Sequence, residues 1–143
     1  MRDMERKENK FLIALEERGL KELVEKVEVG DIVIYRGFQK IRDNTCSIVI
    51  LLDDSYTNTI AFIIGKIKAG EAKEKVLEIM NKFNRGYELG KFYINNGDEL
   101  CGQISYIADA AAFDGDLFLD LLIHRLVLIK DEFFPEIRNL IEE

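Results

Sequence analysis

A chain of 143 residues fits one domain, long enough to bury roughly two-thirds of the surface its unfolded form exposes. Hydrophobic residues make 48% of it and charged residues 33%, which is too apolar for disorder. The net charge of −7, with no cluster of Lys or Arg, argues against nucleic acid and anionic lipid as partners.

The opening MRDMERKENK is charged and is followed by only a short apolar run, FLIAL, so it reads as neither a signal peptide nor an anchor. The apolar runs Leu121–Ile123 and Leu126–Ile129 are split by His124 and Arg125 and fall far short of the roughly 20 residues of a membrane span. A cytoplasmic location is expected. Cys46 and Cys101 lie far apart, each in a predicted strand, and read as reduced core or near-core residues rather than a disulfide.

From about Asp3 to Arg18, Phe11, Leu12, Ala14 and Leu15 recur among charges as in an amphipathic helix, with Gly19 placed for a C-terminal cap. LKELVEKVEV, residues 20–29, fits either a continued helix or extended chain, and its pattern leaves both open. Three strands are predicted next, at 31–38, 45–52 and 57–64, rich in β-branched and aromatic residues. Arg42 to Asn44 and Asp53 to Ser55 supply the turns of an antiparallel meander. Ile48, Ile50 and Leu52 share one face of the second strand and Val49 and Leu51 the other, so this strand should be central and covered on both sides.

Gly70 opens a second helix with the stripe Ala72, Val76, Ile79, Met80 and Phe83, supported by the i,i+4 pairs Glu71/Lys75 and Glu78/Lys82 and closed by Gly86. KFYIN, Asn96-Gly97 and DELCGQISYI then predict a hairpin with a type I′ turn.

The stretch from Asp114 to Ile141 is a long helix, capped by Asp114 or Asp116, with a kink or break near Phe134 because Pro135 lacks the N–H of a continuing helix. Leu119, Leu122, Leu126, Ile129 and Phe133 make its core stripe, extended by Phe118, Ile137 and Leu140. Leu117, Leu121 and Leu128 form a second stripe, and Ile123, Val127 and Phe134 a third. A helix apolar nearly all round is buried on more than one side, by its own domain or by a second chain. Leu117, Leu121, Leu128 and Phe134 are therefore the expected partner or dimer interface, unless the first helix covers the second stripe within one chain. The expected order is α-β-β-β-α-β-β-α, an α+β domain with helices packed on an antiparallel sheet.

The phrases NKFN at 81–84, LGKFYI at 89–94 with GDEL after it, and DEFFPEI at 131–137, together with the element order over about residues 6–141, resemble the YbjN-like family. The wording matches only from Lys82 onward. That family's fold is similar to type III secretion chaperones, so the resemblance implies one small cytoplasmic, non-enzymatic domain over 1–143. Such proteins are often dimeric and hold a partner polypeptide or act in regulation. No catalytic residue or cofactor comes with it.

The residues themselves offer little chemistry. His124 is the only histidine, and neither cysteine sits in a CxxC pair. Asp120 one turn before His124 could orient an imidazole, although a solvated or interfacial helix edge explains both. Asp109, Asp114, Asp116 and Asp120 lack the alternation and closing glutamate of a calcium loop and suit helix capping instead. Gly65 and Gly70 form no phosphate loop. Tyr35, Phe38, Tyr56, Tyr87, Tyr93 and Tyr106 could offer a stacking face, or simply pack. A peptide could add to a sheet edge or fill a groove. The expected function is a non-enzymatic module that holds a partner polypeptide as a homodimer. The alternative is a small-molecule site or enzyme with a pocket between sheet and last helix near Asp120, His124 and Tyr106.

Overall fold

The computed structural model describes residues 1–28, 30–86 and 90–142. Val29, Tyr87 and Leu89, which enter the sequence reading above, lie outside the described residues. The elements run α1 (Asp3–Glu17), β1 (Glu25–Glu28), β2 (Val33–Ile41), β3 (Asn44–Leu52), β4 (Thr57–Lys66), α2 (Ala72–Gly86), β5 (Gly90–Ile94), β6 (Glu99–Ile107), α3 (Gly115–Leu128) and a last helical turn α4 (Phe134–Ile137). The fold class is α+β, as the sequence predicts, with one antiparallel sheet in the order β1-β2-β3-β4-β6-β5.

The ambiguous segment after α1 becomes a single 3-10 turn at Lys21–Leu23 and then the added strand β1, so four strands rather than three precede α2. Alternating Glu and Lys around Val27 suits a short edge strand better than a second buried helix. Gly19 caps α1 as expected: with φ +67 it lets the Leu20 N–H reach the Leu15 carbonyl and its own N–H reach Glu16.

The hairpin between β5 and β6 forms, but its turn is not type I′. The residue with positive φ is Asp98, at 58°, after a turn in which the Asn95 side chain accepts the N–H groups of Gly97 and Glu99. A three-residue loop ending in a left-handed residue meets the strand twist as well as a two-residue one, and the Asn95 carboxamide selects it.

Pro135 does not break the last helix. The turn before it, Ile129–Phe133, widens to π geometry, and the Phe134 N–H reaches back five residues to Ile129. That loosened turn accommodates a ring that would otherwise strike the carbonyl four residues back. It also leaves Ile129, Phe133, Phe134 and Ile137 all essentially fully buried.

The core lies between the sheet and a single layer of helices. Phe11 of α1 meets Tyr35 edge-on at 5.7 Å, Phe83 of α2 meets Phe92 at 6.2 Å, and Phe118 of α3 lies 5.9 Å from Tyr106. Phe92 stacks on Phe133 at 3.8 Å, nearly parallel. Strand alternation puts Tyr35, Ile48, Ile50, Ile60, Phe62, Phe92 and Ile104 on this one face. β3 is interior to the sheet, as predicted, yet only one of its faces is covered.

Candidate functional site

The four residues expected at an interface separate. Leu128 (8% exposed) and Phe134 (1%) are core side chains of the chain itself and present no surface to a partner. The reason is local: the π turn and α4 turn Phe134 inward, while Val127 of the same stripe stays 52% exposed, and α1 packs along α3. Leu121 is half-buried, and Leu117 alone stays exposed, at 44%.

Asp120, His124 and Tyr106 do not converge. Arg18 at the end of α1 binds Asp120 at 2.6 Å and Asp116 at 3.2 Å, which holds the Asp120 carboxyl below its ordinary range. The Tyr106 hydroxyl accepts the Asp114 N–H at 3.1 Å, and its ring packs on Phe113 and Phe118. His124 is exposed. The aspartates work on the fold: the Asp114 side chain caps α3 by accepting the Leu117 N–H at 3.1 Å. Among the described residues no three His, Cys, Asp or Glu side chains group around a metal position.

Several polar groups are buried, and their contacts tie them to structure. Lys7, fully buried, donates from Nζ to the carbonyls of Asp53, at 3.1 Å, and Ser55; burial lowers its pKa. Lys10 donates to the carbonyls of Ala110, Ala111 and Phe113 at 2.6–3.4 Å. Two lysines one turn apart thus fasten α1 to two neighbouring loops, the β3–β4 turn and the segment after β6. Glu8 accepts from the Tyr35 hydroxyl and pairs with Lys26 at 2.8 Å, tying α1 to β1 and β2. Asn58 donates to the carbonyls of Tyr106 and Ala108. Arg125, 7% exposed, lies 5.4 Å over the Phe92 ring. Sequence reasoning saw Arg125 only as an interruption of the apolar runs of α3 and passed over Lys7 and Asn58, because charge and polarity signal the surface unless a partner is known.

Both cysteines are buried and unpaired. Burial pushes the Cys46 thiol up to about 12 and raises that of Cys101 as well, the opposite of what a reactive thiolate needs.

The face of the sheet that the helices leave bare is the candidate site. Phe38 pairs with Ser47, Ser47 with Ile63, Ile63 with Cys101 and Cys101 with Tyr93, so one line of five side chains crosses five strands. Beside it run Arg36, Val49, Ala61, Gln103 and Lys91, and then Ile34, Leu51, Thr59 and Ser105. Phe38 is 60% exposed, Tyr93 38% and Ile107 66%. Tyr93 is the cross-strand partner of Cys101, and the cysteine is only 2% exposed.

The sheet's edges are closed to an added strand. β5, an outer strand of five residues, has the N–H and carbonyl of Phe92 both taken by the Asn84 side chain, at 2.8 and 3.0 Å. β1, at the other edge, is four residues long, charged and bulged between Lys26 and Glu28. Short, charged, bulged or covered edges are how sheets avoid pairing with another chain.

Comparison with family models, with curated proteins and with solved structures finds no match for this chain. Among the described residues, no helix is long and apolar enough to cross a membrane.

Proposed function

We propose that this chain is a non-enzymatic, cytoplasmic protein-binding module of the YbjN-like kind, which holds another polypeptide against the bare face of its sheet and works as a homodimer. The observation that supports this reading is the apolar line Phe38, Ile63 and Tyr93 on a six-stranded sheet with helices on one side only. Exposed apolar side chains gathered on one face mark association sites in soluble proteins. The separate structural partners of Asp120, Tyr106 and the buried lysines support a binding role over a catalytic one, since catalysis needs converging groups. The free, buried cysteines fit a reducing compartment.

Affinity capture with the tagged full-length chain tests the reading. Polypeptides retained by the wild type, untagged copies of the chain included, are lost with Phe38→Ser and Ile63→Ser and kept with Leu117→Ser, while all three variants keep the native far-UV circular dichroism. A wild type that retains nothing beyond what the Phe38→Ser chain retains overturns it.

A further inference from the structure

Resting on that reading, we propose that the polypeptide on the bare sheet face is a second copy of this chain, related by a twofold axis running along β4, so that Phe38 of each copy seats against Tyr93 of the other. Three observations lead to that occupant.

The first is shape. In the middle of the face the short side chains Ser47, Val49, Thr59 and Ala61 stand among the half-buried Leu51 and Ile63. A broad, flat, apolar sheet face is complementary to another such face, which is how two sheets pack at about 10 Å into a sandwich. An extended peptide would need an open edge, and Asn84 and the bulged β1 deny it one.

The second is area. Six strands span about 24 Å, and the nine or ten residues of β2, β3, β4 and β6 run about 30 Å, an area on the order of 700 Å² before allowing for the short edge strands. A stable interface of standard size takes roughly 800 Å² from each partner.

The third is register. In the line Phe38–Ser47–Ile63–Cys101–Tyr93, Ile63 of β4 is central, with Phe38 two strands away on one side and Tyr93 two strands away on the other. A twofold along β4 therefore sets Ile63 on Ile63, Ser47 on Cys101 and the more exposed Phe38 on Tyr93, twice. That is the self-complementarity an isologous interface requires. The same axis brings Arg36 toward Lys91, but Lys91 is drawn to the sheet edge, donating to the Asn84 carbonyl at 2.9 Å, and Arg36 has Glu25 as its cross-strand neighbour.

Light scattering and sedimentation of the full-length chain over a concentration series test the proposal. The wild type is expected to be a dimer, with Phe38→Glu and Ile63→Glu each weakening it about 30-fold or more, as central interface residues do. Leu117→Glu leaves the dimer unchanged. Because Phe38 is 60% exposed, Phe38→Glu is compatible with the folded monomer, which circular dichroism and the urea midpoint verify. The double variant F38E/Y93K recovers association lost by Phe38→Glu, since each new carboxylate meets a new ammonium across the axis. A wild type that stays monomeric at every concentration overturns the second copy and leaves the binding reading to the capture experiment. A dimer indifferent to both Phe38→Glu and Ile63→Glu overturns the second copy and the choice of face together. Dissociation by Phe38→Glu without recovery in the double variant overturns the proposed axis.

Discussion

Asn84 uses a single carboxamide to end the sheet. Its Oδ1 accepts the Phe92 N–H and its Nδ2 donates to the Phe92 carbonyl, reproducing the pair of hydrogen bonds that a neighbouring strand would make. Asn84→Ala leaves both backbone groups at an outer edge without that partner, and should cost about 1–3 kcal/mol in urea unfolding. Hydrogen exchange of the Phe92 amide should accelerate in the same variant; unchanged protection would mean that the clamp is incidental. Nothing in the sequence announces this role, because the NKFN phrase gives no hint that its last residue reaches past Gly86 to a strand. The triad of Glu8, Tyr35 and Lys26 was equally hidden. Its members fall on three elements, and only the register of β1, which the sequence left open, brings Lys26 to the helix side of the sheet beside Tyr35.

At the level of elements, the long periodic segments were legible and the punctuation was not. The stripes of α2 and of the front of α3 are buried as their 3.6-residue spacing requires: Val76, Met80, Phe118, Leu119 and Leu122 are all in the core. β1 stayed open because four mostly charged residues carry too little periodicity to decide between helix and extended chain. The π turn was missed because proline is read as a break, whereas a wide turn can take it up. The lateral fit of α1 to α3 was also invisible, and it depends on one small residue. A Cβ at Gly115 would lie 2.3 Å from the Lys10 carbonyl oxygen, a main-chain atom in the middle of α1. Lys10 is held there by its three carbonyl contacts, so the two helices have little freedom to part. Gly115→Ala should therefore destabilise the fold by about 1–3 kcal/mol through overpacking, read as a lower urea midpoint with an unchanged slope. A neutral or stabilising result would show that α1 can shift and that the lysine clamp is weak.

For the molecule as a whole, the α+β class is legible in the sequence, and so is surplus apolar surface, but two of the four residues assigned to a partner, Leu128 and Phe134, belong to the core. The surplus is counted in stripes on the last helix, and α1, the π turn and α4 absorb most of them. Besides Leu117 and Val127 on α3, uncovered apolar side chains such as Phe38, Tyr93 and Ile107 belong to strands, whose two apolar faces predict cover on both sides. Periodicity reports that a face is apolar and cannot say what lies over it.

The layering also makes α1 the element on which overall stability turns, and its fastenings predict how the fold responds to acid. Beyond the lysines, α1 is tied at its start by Asp54, which accepts the Met4 N–H at 2.9 Å and binds Arg2 at 2.5 Å. It is tied at its end by Arg18 on Asp120. Both carboxyls are held below their ordinary value of 3.8, Asp54 first by the Met4 N–H and then by Arg2, Asp120 first by its hydrogen bond to Arg18. A carboxyl whose pKa is lower in the folded than in the unfolded chain stabilises the fold fully above the unfolded value and progressively less as pH falls through the folded one. Stability should thus hold level from neutral pH to about 4 as far as these two groups are concerned, and decline below it. Both sites are solvent-exposed, so added salt should flatten the decline. Replacing both, in D54N/D120N, should lower the urea midpoint at pH 7 and reduce its dependence on pH below 4. Hydrogen exchange at low pH should show α1 opening ahead of β3 and β4. If the double variant follows the wild-type pH curve point for point, these two ties do not hold α1, and the buried contacts of Lys7, Lys10 and Phe11 alone account for its place on the sheet.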